Sequence, residues 1–150
     1  MDKSWDILVV SARLENKKAL LRILQGLPVS AFTASTVQQA HEVLSTHSIR
    51  LIFCEENFAD GSYRDVLAAV RTPQTRTPLV LMLSTGEWEE YLEAMSLGAT
   101  EALRCPLQPT DVELTLIRAA REHEGQIDRP IQQGPTTSLT NRATVSSTAN

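Results

Sequence analysis

The sequence predicts a doubly wound α/β domain, a parallel sheet with helices on both faces. Three observations lead there. Short continuous apolar runs, such as Ile7-Leu8-Val9-Val10 and Leu79 to Leu83, have the character of strands buried on both sides. Between such runs lie longer segments whose apolar residues recur at helical spacing. The two kinds of segment alternate strictly, five strands with five helices, which is the order produced by right-handed crossover units.

The first strand, Ile7 to Val10, leads into a helix from Glu15 to Gln25 with Leu20, Leu21, Ile23, Leu24 and Leu27 at helical spacing, stopped by Gly26 and Pro28. Val29 to Ala34 reads as the second strand. Thr36-Val37-Gln38-Gln39 has the form of a capping box, in which Thr36 and Gln39 each satisfy a free amide at a helix start. That helix reaches about Thr46, with Ala40, Val43 and Leu44 turned inward. Ile49 to Cys54 is the third strand. After the Asp60-Gly61 turn, Ser62-Tyr63-Arg64-Asp65 is a second cap-like start, for a helix to about Arg71. Pro73 and Pro78 bracket a loop before the fourth strand, Leu79 to Leu83. A helix from about Glu87 to Leu97 ends at Gly98, and Glu101 to Leu103 is a short fifth strand. Thr110-Asp111-Val112-Glu113 is the clearest capping box, and its helix is expected to end near Glu122.

The chain has 150 residues, 42% hydrophobic and 21% charged, which suits one globular domain. Composition changes at His123, and eight of the last fifteen residues are Ser or Thr. Residues 1–122 are therefore expected to form the domain and 123–150 a flexible tail, too poor in apolar side chains to repay its ordering entropy. One domain leaves little room for an attached output module. A net charge of −4 argues against a bulk nucleic-acid binder. No apolar run approaches the length of a membrane span, and the first residues do not form a signal peptide. The expectation is a cytoplasmic protein with no nucleic-acid or membrane partner. Cys54 and Cys105 are too few for a disulfide scaffold or a structural zinc site.

In open parallel sheets the site lies at the carboxyl ends of the strands. Here those ends are Val10-Ser11-Ala12-Arg13, Cys54-Glu55-Glu56-Asn57, Leu83-Ser84-Thr85 and Arg104-Cys105-Pro106. No glycine-rich phosphate loop follows the first strand, and no serine nucleophile elbow is present. His41, His47 and His123 all fall away from the strand ends, so neither a metal site nor a catalytic triad is expected.

Three stretches carry a family resemblance: Ile7 to Val10; Leu51 to Glu55 with Phe58-Ala59-Asp60-Gly61; and, most distinctive, the run from Ala94 through Leu97-Gly98-Ala99 to Cys105-Pro106-Leu107. Over residues 6–122 the chain resembles the receiver domain of bacterial two-component response regulators, the CheY-like branch of the flavodoxin-like folds. The resemblance implies a strand order of 2-1-3-4-5. It also implies a pocket in which an acidic pair after the first strand holds Mg²⁺ beside a phospho-accepting Asp. This chain departs from that pattern. Ser11 and Ala12 stand at the acidic pair, and Glu55 at the phospho-acceptor. Leu83 or Ser84 stands at the hydroxyl position, Ala102 at the aromatic switch, and Cys105 at the Lys, with Pro106 kept.

Mg²⁺ wants several oxygen ligands in near-octahedral geometry, and Glu55 is the only carboxylate carried over. The expectation is a pseudo-receiver with no catalytic residue, no metal and no cofactor, its Mg²⁺ site lost. It is read as a stand-alone signalling protein acting on a protein partner such as a histidine kinase or output protein. Two alternatives stay open: a receiver phosphorylated on Glu55 or a nearby group with weak Mg²⁺ dependence, and a small-molecule or redox binder using Cys105. Glu55 reads either as a built-in mimic of the phosphorylated residue or as a solvated strand-end carboxylate paired with Arg13 or Arg104. Strand alternation makes Cys54 a core residue, and Arg104 is expected to favour a Cys105 thiolate. On the fourth helix Trp88, Tyr91, Leu92 and Met95 follow helical spacing, with Leu92 and Met95 expected in the core and Trp88 and Tyr91 partly exposed. The resemblance implies a partner or homodimer surface over the fourth helix, fifth strand and fifth helix, with Trp88, Tyr91, Glu101 and Leu103 as candidates. Glu87, Glu89, Glu90 and Glu93 read as a solvated face.

Overall fold

In a computed structural model the described residues are 5–73, 75–84 and 88–128, the side chains of 123–128 excepted. Five parallel strands build the sheet: β1 (Trp5–Val10), β2 (Val29–Ala34), β3 (Leu51–Glu55), β4 (Leu79–Leu83) and β5 (Glu101–Arg104). Their spatial order is β2-β1-β3-β4-β5, the doubly wound order expected of this fold. Between them run α1 (Leu14–Gln25), α2 (Val37–Thr46), α3 (Tyr63–Val70) and α4 (Trp88–Leu97), and after β5 comes α5 (Pro109–Asp128). Two-residue antiparallel ladders, Asn57–Phe58 with Gly61–Ser62 and Arg71–Thr72 with Thr75–Arg76, decorate the loops around α3. The chain divides into two compact units, Met1–Thr115 and Leu116–Asn150. The first holds the sheet; the described part of the second is the run of α5 through Asp128. No helix among the described residues is long and apolar enough to cross a membrane.

Alternation along the central strands fills both faces of the sheet. Leu8, Val10, Ile52, Cys54, Leu81 and Leu83 belong to a core with Val37 and Ala40 of α2, Val66 and Val70 of α3, and Ala94 of α4. Ile7, Val9, Phe53, Val80 and Met82 alternate to the other face and are also fully enclosed, as are Leu20 and Leu24 of α1. This double burial is why the strands read as continuous apolar runs.

The loops are tied by polar contacts from distant parts of the chain. Thr36 caps α2 by accepting the Gln39 N–H at 3.1 Å, while Gln39 Oε1 reaches back to the N–H of Ser35 at 2.7 Å, one residue before the expected partner. The Asp60 carboxylate reinforces that start, accepting from Val37 N–H at 2.8 Å and Gln38 N–H at 3.0 Å. These two bonds hold the Asp60 carboxyl below its ordinary pKa. Ser62 and Asp65 form a full capping box on α3. A Cβ at Gly61 would run into the Asp65 carboxylate, so the turn before the box requires glycine. Arg71 joins the ends of α3 and α4, donating to the carbonyls of Thr77 at 3.0 Å and Gly98 at 2.6 Å. Gly98 has φ +114°, a region that favours glycine.

The structure revises several expected boundaries. β3 begins at Leu51, leaving Ile49 buried but outside the strand, and runs one residue further, to Glu55. α5 starts at Pro109, whose fixed φ suits a first helical position, so Thr110 lies inside the first turn and does not cap it. The same helix continues to Asp128, past the expected end at Glu122. On α4 the inward stripe is rotated: Ala94 is fully buried, Tyr91 and Met95 pack against the core, and Leu92 is 48% exposed. The small Ala94 lets the helix approach the sheet closely, which turns Leu92 outward. The remainder of the expected tail, from residue 129 onward, lies outside the described residues, as do Thr85 and Glu87.

Leu81→Ala, at the centre of the sheet, is expected to cost about 2–5 kcal/mol, read as a lower urea midpoint at unchanged m-value. Asp60 contributes stability above the ordinary aspartate pKa, and that contribution is lost as pH falls through its lowered folded value. Asp60→Asn should flatten that acid segment of a stability-against-pH curve.

Candidate functional site: the carboxyl ends of the strands

The last residue of β3 is Glu55, and alternation sends its side chain to the α1 face while Cys54 enters the α2–α4 core. Glu55 is only 5% exposed, yet its carboxylate is fully partnered. Every partner comes from the bend between β1 and α1 or from the first turn of α1. Ser11 Oγ donates to Oε2, and Asn16 Nδ2 donates to the same oxygen at 3.1 Å. The backbone N–H groups of Ala12 and Arg13 donate to Oε1 at 2.9 and 3.2 Å. Arg13, the residue before α1, makes no side-chain cap of its own. The carboxylate of a neighbouring strand therefore meets the free amides at the positive end of that helix. Ser11 is fully buried and anchored by its own N–H, which donates to the Ala34 carbonyl at 2.8 Å.

Glu56 faces β4. Its Oε1 accepts from Ser84 Oγ at 2.8 Å and, more distantly, from the Ser84 N–H at 3.4 Å. Its carbonyl accepts the N–H of Tyr63 at the start of α3. The two adjacent glutamates thus reach in different directions, one to the β1–α1 bend and one to the end of β4. Between them lies a cleft of about 30 Å³ lined by Arg13, Asn16, Glu55, Glu56, Asn57, Met82 and Ser84. Such a space admits about one water molecule.

The other expected site residues separate into two groups. Ser84 stands at the cleft, whereas Leu83 belongs to the core. Ala12 contributes only its N–H, because its methyl group offers no ligand atom. Cys105 is half-buried, its N–H donates to the Leu83 carbonyl at 2.8 Å, and its peptide bond to Pro106 is cis. Ala102 packs against the α2–α4 core, and Leu103 is half-buried. Glu101 accepts from Thr115 Oγ1 at 2.7 Å, so its carboxylate is tied to α5. Trp88 is 66% exposed and stacks on Tyr91 with ring centroids 5.0 Å apart.

Two expectations are corrected. The Glu55 carboxylate is buried instead of solvated and forms no ion pair with the guanidinium of Arg13 or Arg104; Arg13 serves it through the backbone N–H. The Cys105 thiol is not poised as a thiolate. Burial pushes its pKa up, the nearby Glu55 and Glu56 carboxylates add to the rise, and Arg13 opposes it only in part. Cys54 is pushed up further by its burial in the core. Asn16 and Glu56 were not singled out from the sequence. Asn16 has no signature within a helical pattern, whereas a Glu doublet at a strand end signals two carboxylates that must face different ways.

Glu55→Gln places an amide N–H₂ against donors that need an acceptor, and should cost about 1–3 kcal/mol in a urea titration. Cys105 should alkylate with iodoacetamide more slowly at neutral pH than a free thiol does, with a rate that climbs as pH rises above the ordinary cysteine range.

No family model matches the chain. Among curated proteins it is similar to the transcriptional regulatory protein ZraR of Escherichia coli K12, 25% identical over 126 residues covering 83% of this chain, and to the protein of the same name from Klebsiella oxytoca, 25% identical over 130 residues covering 87%. The chain spans only about 29% of the length of those relatives. Among solved structures it is similar to the signal receiver domain of an HD domain-containing protein from Pseudomonas fluorescens Pf-5, with TM-score 0.77, 18% identity and coverage of 87% of this chain and 96% of that one. The CheY-like receiver domain protein from Methanospirillum hungatei JF-1 gives TM-score 0.74 at 14% identity, covering 83% and 99%. Sheet order, strand-end geometry and these likenesses agree: the chain has the fold of a CheY-like response-regulator receiver domain.

Proposed function

We propose that this chain is a receiver-like signalling module of the two-component type that acts by binding a protein partner and has given up phosphoryl transfer. The observation that carries this reading is the buried Glu55 carboxylate, whose two oxygens accept four hydrogen bonds from the β1–α1 bend and the start of α1. In the family it resembles, that bend supplies the acidic pair that holds Mg²⁺. Here it supplies donors, and the carboxylate that remains is already satisfied by them. The residues do not fit a magnesium ion: Ser11 offers one hydroxyl, Ala12 none, and binding would require stripping hydrogen bonds from Glu55.

The second carboxylate supports the same reading. Glu56 accepts from the hydroxyl of Ser84, one of the two residues, with Leu83, at which the resemblance places the group that senses the phosphoryl oxygen. With Glu55 engaging the β1–α1 bend and Glu56 engaging the end of β4, the ends of β1, β3 and β4 are joined without a phosphate. The module is a switch held in one setting. Glu55 by itself is then not the mimic of a phosphorylated residue, because the β4 hydroxyl answers to its neighbour.

Function then rests on the surface. The partner is a histidine kinase or an output protein, or a second copy meeting through α4 and β5, where exposed Trp88 stacks on half-buried Tyr91 and Leu92 lies outward. Leu103 and Glu101 lie on the same side of this reading as candidates on β5, with Glu101 partly committed to Thr115. The module is non-enzymatic and cytoplasmic. Cys105 is left out of its chemistry because its thiolate is disfavoured.

The test is incubation of the full chain with a small phosphodonor and Mg²⁺, followed by intact-mass measurement. No gain of a phosphoryl group is expected, and the amide resonances of Ser11, Ala12, Arg13 and Ser84 should not move on Mg²⁺ addition. A phosphate located on Glu55 or any neighbouring group overturns the proposal.

A further inference from the structure

β2 lies at one edge of the sheet. In a parallel pair, each residue directs both its N–H and its C=O to one side, and the next residue directs them to the other. The N–H of Ser11 donates to Ala34 O and that of Trp5 to Pro28 O, which turns the even-numbered residues of β2 toward β1. Val29, Ala31 and Thr33 therefore present their backbone groups to the open edge. The Val29 N–H is already taken by the Leu27 carbonyl at 2.8 Å. Ala31 and Thr33 make no hydrogen bond to another described residue on that side.

Beside this edge runs a groove of about 570 Å³, lined by Leu21, Leu24, Val29 and Ala31 together with Lys18, Arg22 and Gln25. The groove exists because β2 carries the small Ala31 opposite α1. Its charge is one-sided: both ionisable groups lining it are cations, on a chain whose net charge is −4. Lys18 and Arg22 form no ion pair with a described residue, whereas neighbouring Lys17 is engaged with Ser35 Oγ at 3.0 Å.

We propose that the β2 edge and this groove bind an extended acidic segment of a partner protein by strand addition. The segment pairs with the free backbone groups of Ala31 and Thr33 and, on its single face turned toward α1, carries both apolar side chains over Leu21 and Leu24 and carboxylates against Lys18 and Arg22. The site is on the opposite edge of the sheet from β5 and does not depend on the Glu55 reading.

The experiment compares two fluorescent heptapeptides, Val-Thr-Glu-Thr-Val-Thr-Glu (the Val–Glu peptide) and Val-Thr-Lys-Thr-Val-Thr-Lys (the Val–Lys peptide), in which the Val and the charged residues share one strand face, titrated with the full chain in low salt and mapped by amide chemical shifts. The Val–Glu peptide is expected to bind, moving the Ala31 and Thr33 resonances, while the Val–Lys peptide does not. Lys18→Glu with Arg22→Glu should weaken Val–Glu binding by at least about tenfold. Ala31→Pro removes a free-edge donor and should abolish binding at an unchanged far-ultraviolet spectrum; should that variant unfold, the surface charge reversal still decides the matter. Failure of the Val–Glu peptide to bind, equal binding of both peptides, shifts confined to α4 and β5, or self-association through β2 each overturn the proposal. The phosphodonor experiment is unaffected by any of these results, so the two readings fail separately.

Discussion

A carboxylate with almost no exposure to water must be neutralised, hydrated or hydrogen-bonded, and Glu55 is hydrogen-bonded to saturation by one short piece of chain. That requirement shapes its surroundings. It fixes the β1–α1 bend, because Ala12 and Arg13 must turn their N–H groups inward. It also accounts for the buried Ser11 hydroxyl and the position of Asn16 in the first turn of α1. The sheet brings these pieces together, since β1 and β3 are paired with Val10 beside Cys54, one residue before the contact. The result is a pocket in which a single buried carboxylate is bound by a hydroxyl, an amide and two backbone dipoles.

The same principle recurs around the sheet. Asp60 holds the start of α2, Asp65 holds the start of α3, and Arg71 collects the carbonyls of Val70 and Gly98 at the ends of α3 and α4. Each is a charged group satisfying backbone groups that a helix end leaves open. The Arg64–Glu93 pair between α3 and α4 is different in kind. At 2.6 Å it is close, but both side chains are nearly half exposed, so it contributes at most about 1 kcal/mol.

What the sequence disclosed follows from which interactions are local. Strand positions were legible because double burial leaves an uninterrupted apolar run, as in Leu79 to Leu83, and α3 was legible because Ser62 and Asp65 lie three residues apart. The α4 stripe was not, because apolar spacing alone cannot separate Leu92 from Ala94; closeness of approach to the sheet decides that. Pro109 takes the helix start from Thr110 because its fixed φ is already suited to a first helical position. At the site, Glu55 could be placed by resemblance, while its partners could not. They lie 39 to 44 residues away in sequence, and two of the donors are backbone groups that no side-chain pattern reveals.

The two tryptophans of this chain stand in unlike surroundings. Trp5, at the start of β1, has the Arg50 guanidinium 5.7 Å from its ring centroid, whereas Trp88 stacks on Tyr91 at the open start of α4. The first is at the amino ends of the strands and the second beside their carboxyl ends. Intrinsic fluorescence therefore carries two reporters at opposite rims of the sheet. With one indole replaced by phenylalanine at a time, events at either rim become separately observable without any attached dye.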